Sequence, residues 1–174
     1  YCKGQPFIAP RRIEGANPYE ENPAKATGND CFCNSPGVND WYETVKLNYG
    51  IDYCDAGGRS YHFQPIPNTW AKMLDILLFW ASKGVDGFRC DMAEMVPTAF
   101  WGWAISQIKE KYKHIIFIGE VYDPAQYGSY VNSGFDYLYD KVGMYDTIKG
   151  VIRGESPASS ITTQWQTTDY LKNN

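Results

Sequence analysis

Val85-Asp86-Gly87-Phe88-Arg89-Cys90-Asp91 and Ile115-Ile116-Phe117-Ile118-Gly119-Glu120 are two short apolar runs, each closed by a carboxylate. They lie one strand-plus-helix repeat, roughly 30 residues, apart. Between them Pro97 opens a helical pattern, with Trp101, Ala104, Ile105, Ile108 and Tyr112 on one face. Upstream, Asn68-Thr69 caps a helix whose apolar positions are Trp70, Met73, Leu74, Leu77, Leu78 and Ala81, and Gly84 stops it. Downstream, Asp123-Pro124 supplies a cap and a first-turn proline for a short helix. Phe135-Asp136-Tyr137-Leu138 is a third, shorter strand. Helical periods follow at Val142, Tyr145, Ile148 and Ile152, then at Ile161, Trp165, Thr168 and Leu171.

Strands alternating with helices predict an α/β fold with a parallel sheet. The strand Ile115 to Val121 is an apolar run interrupted by Glu120 alone, as expected of a parallel strand covered on both faces. A closed eight-stranded (β/α) barrel needs about 250 residues. The patterned part, residues 65–174, holds three to four units of roughly 30 residues. The expectation is a partial TIM barrel of about three parallel strands with flanking helices. Its open edges invite self-association. Residues 1–64 form a second region, punctuated by Pro6, Pro10, Pro18, Pro23 and Pro36 and poor in regular pattern. A stretch of that length is read as a loop-rich subdomain, with Trp41, Tyr42, Val45, Leu47 and Tyr49 arguing against disorder.

If the two runs are neighbouring strands, Asp91 and Glu120 stand at the carboxyl edge of one sheet, where barrel enzymes keep their chemistry. Adjacent strands lie about 4.8 Å apart, close to the ~5–5.5 Å between the two carboxyl groups of a retaining glycosidase. Strand alternation places Val85, Gly87, Arg89 and Asp91 on one face, and Phe88 and Cys90 on the other. Arg89 can therefore hydrogen-bond Asp91 and favour its charged form. Each residue alone has a plainer reading: Asp91 as a helix cap, Arg89 as a surface cation, Glu120 as a loop acid. Asp123 serves equally as a cap.

Gly87-Phe88-Arg89-Cys90-Asp91-Met92-Ala93 and Gly119-Glu120-Val121-Tyr122 resemble two of the four short regions that define the α-amylase family of glycoside hydrolases. The segment Pro67 to Trp80 and Leu47-Asn48-Tyr49-Gly50 are similar to that family too. Residues 1–64 resemble its long insertion after the third barrel strand. The resemblance implies a retaining α-glucan-active enzyme, with Asp91 as nucleophile, Glu120 as acid/base and Arg89 beside them. It places Tyr122, Glu94 and Met95 as substrate-binding positions. Many members carry Lys-His where this chain has Glu94-Met95, which bears on the leaving-group side and on the calcium arrangement; calcium is a cofactor the resemblance leaves open for the parent enzyme. The regions with the third carboxylate lie outside this chain. Three functions stay open: hydrolysis of α-1,4-glucosidic bonds in starch or maltooligosaccharides, glycosyl transfer of the maltosyltransferase or branching type, and glucan binding without catalysis.

Composition narrows the partners. The formal net charge is −4 with no basic stripe, which disfavours nucleic acid; a neutral glucan needs no charge complementarity. No apolar run reaches the length of a membrane span. Aromatic residues make up 16% of the chain; most pack a core, and exposed ones suit the CH faces of sugar rings. Five cysteines make no even disulfide set, and the thiols are read as mostly reduced. The chain opens at Tyr1 without a methionine, so a segment of a longer chain is expected, with secreted, periplasmic and cytoplasmic locations all open.

Overall fold

The computed structural model describes residues 4–10, 20–55 and 57–171. The chain divides into two compact units, Tyr1–Thr69 and Trp70–Asn174.

The first unit is held together by side chains that satisfy a loop backbone, since few ladders are available to do so. The Thr27 hydroxyl bonds Asn29 Oδ1 at 2.6 Å and accepts from the Cys31 amide at 3.1 Å. Asn29 in turn accepts from the Trp41 amide at 3.1 Å and donates to Asp40 at 3.2 Å. The Gly28 amide donates to Thr44 Oγ1 at 2.8 Å, and Lys46 pairs with Asp30. This region carries a regular element absent from the expectation above. Strands β1 (Ile51–Asp55) and β2 (Gly58–Tyr61) form an antiparallel hairpin with Ile51 opposite Tyr61. Gly58 takes a positive φ of 96° at its turn, a conformation open to glycine. The alternation in Ile51-Asp52-Tyr53 followed by Gly57-Gly58 is the signal that pattern reading could have used. Cys54 on β1 is disulfide-bonded, while Cys31, Cys33 and Cys90 are free, in keeping with mostly reduced thiols.

The second unit follows the predicted alternation. Helix α1 spans Asn68–Ala81, strand β3 Gly87–Cys90, helix α2 Thr98–Lys111 and strand β4 Ile116–Gly119. Helix α3 (Tyr127–Asn132) and strand β5 (Tyr137–Leu138) follow, then helices α4 (Asp146–Ile152) and α5 (Ser159–Thr167). Gly84, at φ 83°, breaks the chain after α1. Asp123 caps a 3-10 turn at Pro124–Gln126 by accepting from the Ala125 amide at 3.0 Å. A π-helical turn, Lys141–Tyr145, precedes α4.

Strands β3, β4 and β5 form one parallel sheet in that order. Phe88 pairs with Phe117, Cys90 with Gly119, and Gly119 with Leu138. One face of the sheet is the core. Phe117 is fully buried, with Phe88 at 5.5 Å and Phe135 at 6.4 Å between ring centroids. Of the predicted stripe of α2, Trp101, Ala104, Ile105 and Ile108 are buried, joined by Phe100, while Tyr112, just past the helix end, is half-buried; each large apolar side chain taken out of water contributes about 1.5–3 kcal/mol. The buried Trp101 indole donates to the Ala93 carbonyl at 3.1 Å, and Tyr130 donates to the Val96 carbonyl at 3.2 Å. Both bonds tie helices to the segment that leaves β3.

The opposite face departs from the expectation of double cover. Ile116 and Tyr137 are exposed and Ile118 is half-buried. In a closed barrel this face looks onto layers of side chains from strands across the axis; three strands supply no such layer. The stripe expected over Val142 to Ile152 is likewise largely exposed.

Gly87 fixes how closely β3 and β4 approach. A Cβ added there would stand 2.5 Å from the Ile116 carbonyl oxygen, so a side chain forces the strand backbones apart. Gly87→Ala is expected to destabilise the fold by about 1–3 kcal/mol, read as a lowered urea midpoint in tryptophan fluorescence. An unchanged midpoint would refute the close approach.

Candidate active site

The parity of the sheet decides what gathers at its end. Arg89, Ile118 and Tyr137 share the open face by register, and the next residue of that parity beyond each strand is Asp91, Glu120 and Tyr139. The Glu120 amide donates to the Cys90 carbonyl at 3.1 Å, so the ladder runs on to the carboxylates. Arg89 joins them. Its Nη1 pairs with Asp91 Oδ1 and its Nη2 with Glu120 Oε2 at 2.9 Å.

The two acids sit in different surroundings. The Asp91 side chain is 74% exposed, whereas that of Glu120 is 9% exposed. A buried carboxyl needs partners, and Glu120 has three. Besides Arg89, its Oε2 accepts from the Met92 amide at 2.8 Å, and its Oε1 meets the Tyr122 hydroxyl at 2.8 Å. Met92 presents its amide through a left-handed backbone, φ 44° and ψ 47°, uncommon for a residue with a side chain. The hydrogen bond to Glu120 is the leading cause that raises the Tyr122 phenol above its ordinary value, with burial second. Tyr122 therefore keeps its proton, and a neutral hydroxyl can donate to a carboxylate or accept from a carboxylic acid. Arg89 is held charged, first by its hydrogen bond with Tyr139 and then by that with Asp91.

The sequence-predicted residues divide into two groups. Arg89, Asp91, Glu120 and Tyr122 converge. Among the described residues, Glu94 and Met95 make no hydrogen bond or ion pair with the side chains of that cluster. Glu94 Oε2 instead accepts from the backbone amides of Tyr122 and Asp123 at 2.9 and 3.2 Å, which pins the chain leaving β4. Met95 ends the 3-10 turn Ala93–Met95 and is half-buried. Two further participants, the Met92 amide and Tyr139, are absent from the sequence reading. A positive φ at Met92 leaves no mark in residue type. Tyr139 was findable, because it continues the row of strand ends one strand further. Among the described residues no group of three or more His, Cys, Asp or Glu side chains could hold a metal ion.

No family model matches the chain. Two curated relatives are alpha-1,4-glucan:maltose-1-phosphate maltosyltransferases. That of Pseudomonas aeruginosa is 31% identical over 129 residues, 74% of this chain and 16% of the relative. That of Picrophilus torridus is 38% identical over 122 residues, 70% of this chain and 15% of the relative. Among solved structures, an α-amylase from Lactobacillus plantarum superposes at a TM-score of 0.52 with 27% identity, over 67% of this chain and 30% of that one. The chain belongs to the α-amylase family.

The parallel sheet and its helices are thus a part of an α-amylase-family TIM barrel, and the family is one of α-glucan-active enzymes. The chain spans about a sixth of the curated relatives, 16% and 15% of their lengths. The α-amylase-family sheet also explains Cys90. It lies on the helix side of β3, and burial pushes its thiol up to about 12, against a smaller opposite pull from Arg89. A folded value above the unfolded one favours the protonated form. The contribution to stability is full below about pH 9 and is lost as pH rises toward 12. Iodoacetamide at pH 9 is expected to label the exposed Cys33 quickly and Cys90 at least tenfold more slowly, as read by peptide mass spectrometry. Equal rates would contradict the burial of Cys90.

Proposed function

We propose that this segment carries the nucleophile and the acid/base of a retaining α-glucan glycosyltransferase of the maltosyltransferase type. The observation that supports it best is the Arg89 guanidinium shared by Asp91 and Glu120 at adjacent strand ends. In this reading an Asp91 oxygen attacks the anomeric carbon of a maltosyl donor. The bond from that carbon to the leaving oxygen breaks, and Glu120 gives the leaving group its proton. The glycosyl unit then rests on Asp91 as a covalent ester. A glucan hydroxyl attacks the same carbon, Glu120 takes its proton, and Asp91 is released. Arg89 balances the charge of the carboxylates through both steps. Tyr122 follows the proton on Glu120 by switching between donor and acceptor.

Transfer is favoured over hydrolysis by the maltosyltransferase relatives, which take a glycosyl phosphate donor by name. The Asp-Glu pair itself serves water and sugar acceptors alike. In the full enzyme, maltose 1-phosphate with a maltooligosaccharide acceptor is expected to yield phosphate and glucans longer by one maltosyl unit. Phosphate release that needs no acceptor and ends in free maltose would support hydrolysis instead. Asp91→Asn is expected to lower turnover by at least about a thousandfold while glucan binding persists, and unchanged turnover would remove Asp91 as nucleophile. The 174-residue chain alone is expected to show less than about a thousandth of the full enzyme's rate.

A further inference from the structure

The three strands of the sheet end level. Cys90 pairs with Gly119 and Gly119 with Leu138, so Asp91, Glu120 and Tyr139 form one row. Two members are the carboxylates discussed above. The third is a tyrosine whose amide donates to the Gly119 carbonyl at 3.0 Å, which fixes its backbone beside the residue preceding Glu120. Its side chain is not core packing, since Tyr139 is 41% exposed. Its contact is Arg89. Arg89 Nε donates to the Tyr139 oxygen at 3.4 Å, and the guanidinium carbon lies 5.4 Å from the centre of the ring.

A guanidinium offers its donors in one rigid plane. Here Nη1 serves Asp91, Nη2 serves Glu120 and Nε serves Tyr139. The guanidinium carbon lies over the Tyr139 ring and the phenol oxygen meets Nε, so the two contacts together restrict how the fork can turn. Arg89 needs such a hold, because it stands on the open face of the sheet with its side chain 41% exposed, and a long side chain in that setting has many rotamers to lose.

We propose that Tyr139 is a positioning residue of this site, holding the Arg89 guanidinium in the orientation from which its two terminal nitrogens reach Asp91 and Glu120. The inference rests on the proposed roles of Asp91 and Glu120. Tyr139 acts through Arg89 and takes no part in bond making. Displacing a catalytic group by about 1 Å costs up to about a hundredfold in rate, which sets the scale of the loss when the hold is released.

The test is a double-mutant cycle in the full enzyme, with phosphate release from maltose 1-phosphate in the presence of a maltooligosaccharide as the readout. Tyr139→Phe keeps the ring and removes the oxygen. It is expected to lower kcat by about tenfold with KM within about twofold, while the thermal midpoint stays within a few degrees. Tyr139→Ala removes both and is expected to fall further. In an Arg89→Lys background, where the fork is gone, Tyr139→Phe is expected to change kcat by less than about twofold, because residues acting as one unit are not additive. A wild-type kcat in Tyr139→Phe, an equal loss in both backgrounds, or a raised KM at unchanged kcat would each overturn the positioning role. Asp91→Asn, assayed alongside, separates the two claims. If it retains turnover, the carboxylate assignment falls and this inference with it. If it is inactive while Tyr139→Phe behaves as wild type, only the role of Tyr139 falls.

Discussion

One cation at the end of a sheet organises this segment. Two carboxylates at neighbouring strand ends repel each other, and Arg89 stands where it can pair with both. Three ordinary facts of strand geometry put it there. Alternation places Arg89 and Asp91 on the same face of β3, two residues apart. The in-phase parallel register puts Glu120 beside Asp91. The glycines keep that register tight: Gly87 lies against the Ile116 carbonyl, leaving no room for a Cβ, and Gly119 lies closely against the Phe135 and Leu138 side chains. The site is therefore a consequence of how closely β3, β4 and β5 pack, and the aromatic cluster of Phe117, Phe135 and Trp101 behind the sheet maintains that packing.

Much of this was legible in the residues. The period of Trp101, Ala104, Ile105 and Ile108 marks α2, and those four side chains are buried. The apolar runs at 85–91 and 115–120 contain β3 and β4, and counting by two along each run brings Arg89, Asp91 and Glu120 to one face. What escaped the pattern has physical causes. The hairpin of β1 and β2 hides in a stretch whose prolines and glycines speak for loop, because its strands are short and only half buried. The bare inner face of β4 depends on strands that this chain does not contribute, and a periodicity cannot report what is missing opposite it. The Met92 amide reaches Glu120 through a backbone conformation set by its surroundings, not by the preference of methionine. Glu94 reads as a substrate-binding position by resemblance, and the fold turns it onto two backbone amides.

The asymmetry between the two carboxyl groups carries the last step. Glu120 is buried and already has the Met92 amide, Tyr122 and Arg89 as partners, so its surroundings within this chain are nearly complete. Asp91 has Arg89 and is otherwise open. An ester formed on Asp91, as proposed, would face solvent from the side where the chain offers no wall. Whether water or a sugar hydroxyl reaches that ester first depends on what covers Asp91 in the whole enzyme. On this view the choice between hydrolysis and transfer belongs to the cover over the nucleophile, while the row of strand ends supplies chemistry common to both. That division is consistent with a segment whose fold resembles an α-amylase and whose sequence aligns with maltosyltransferases: the shared part is the sheet edge, and the part that tells the two activities apart is built on top of it.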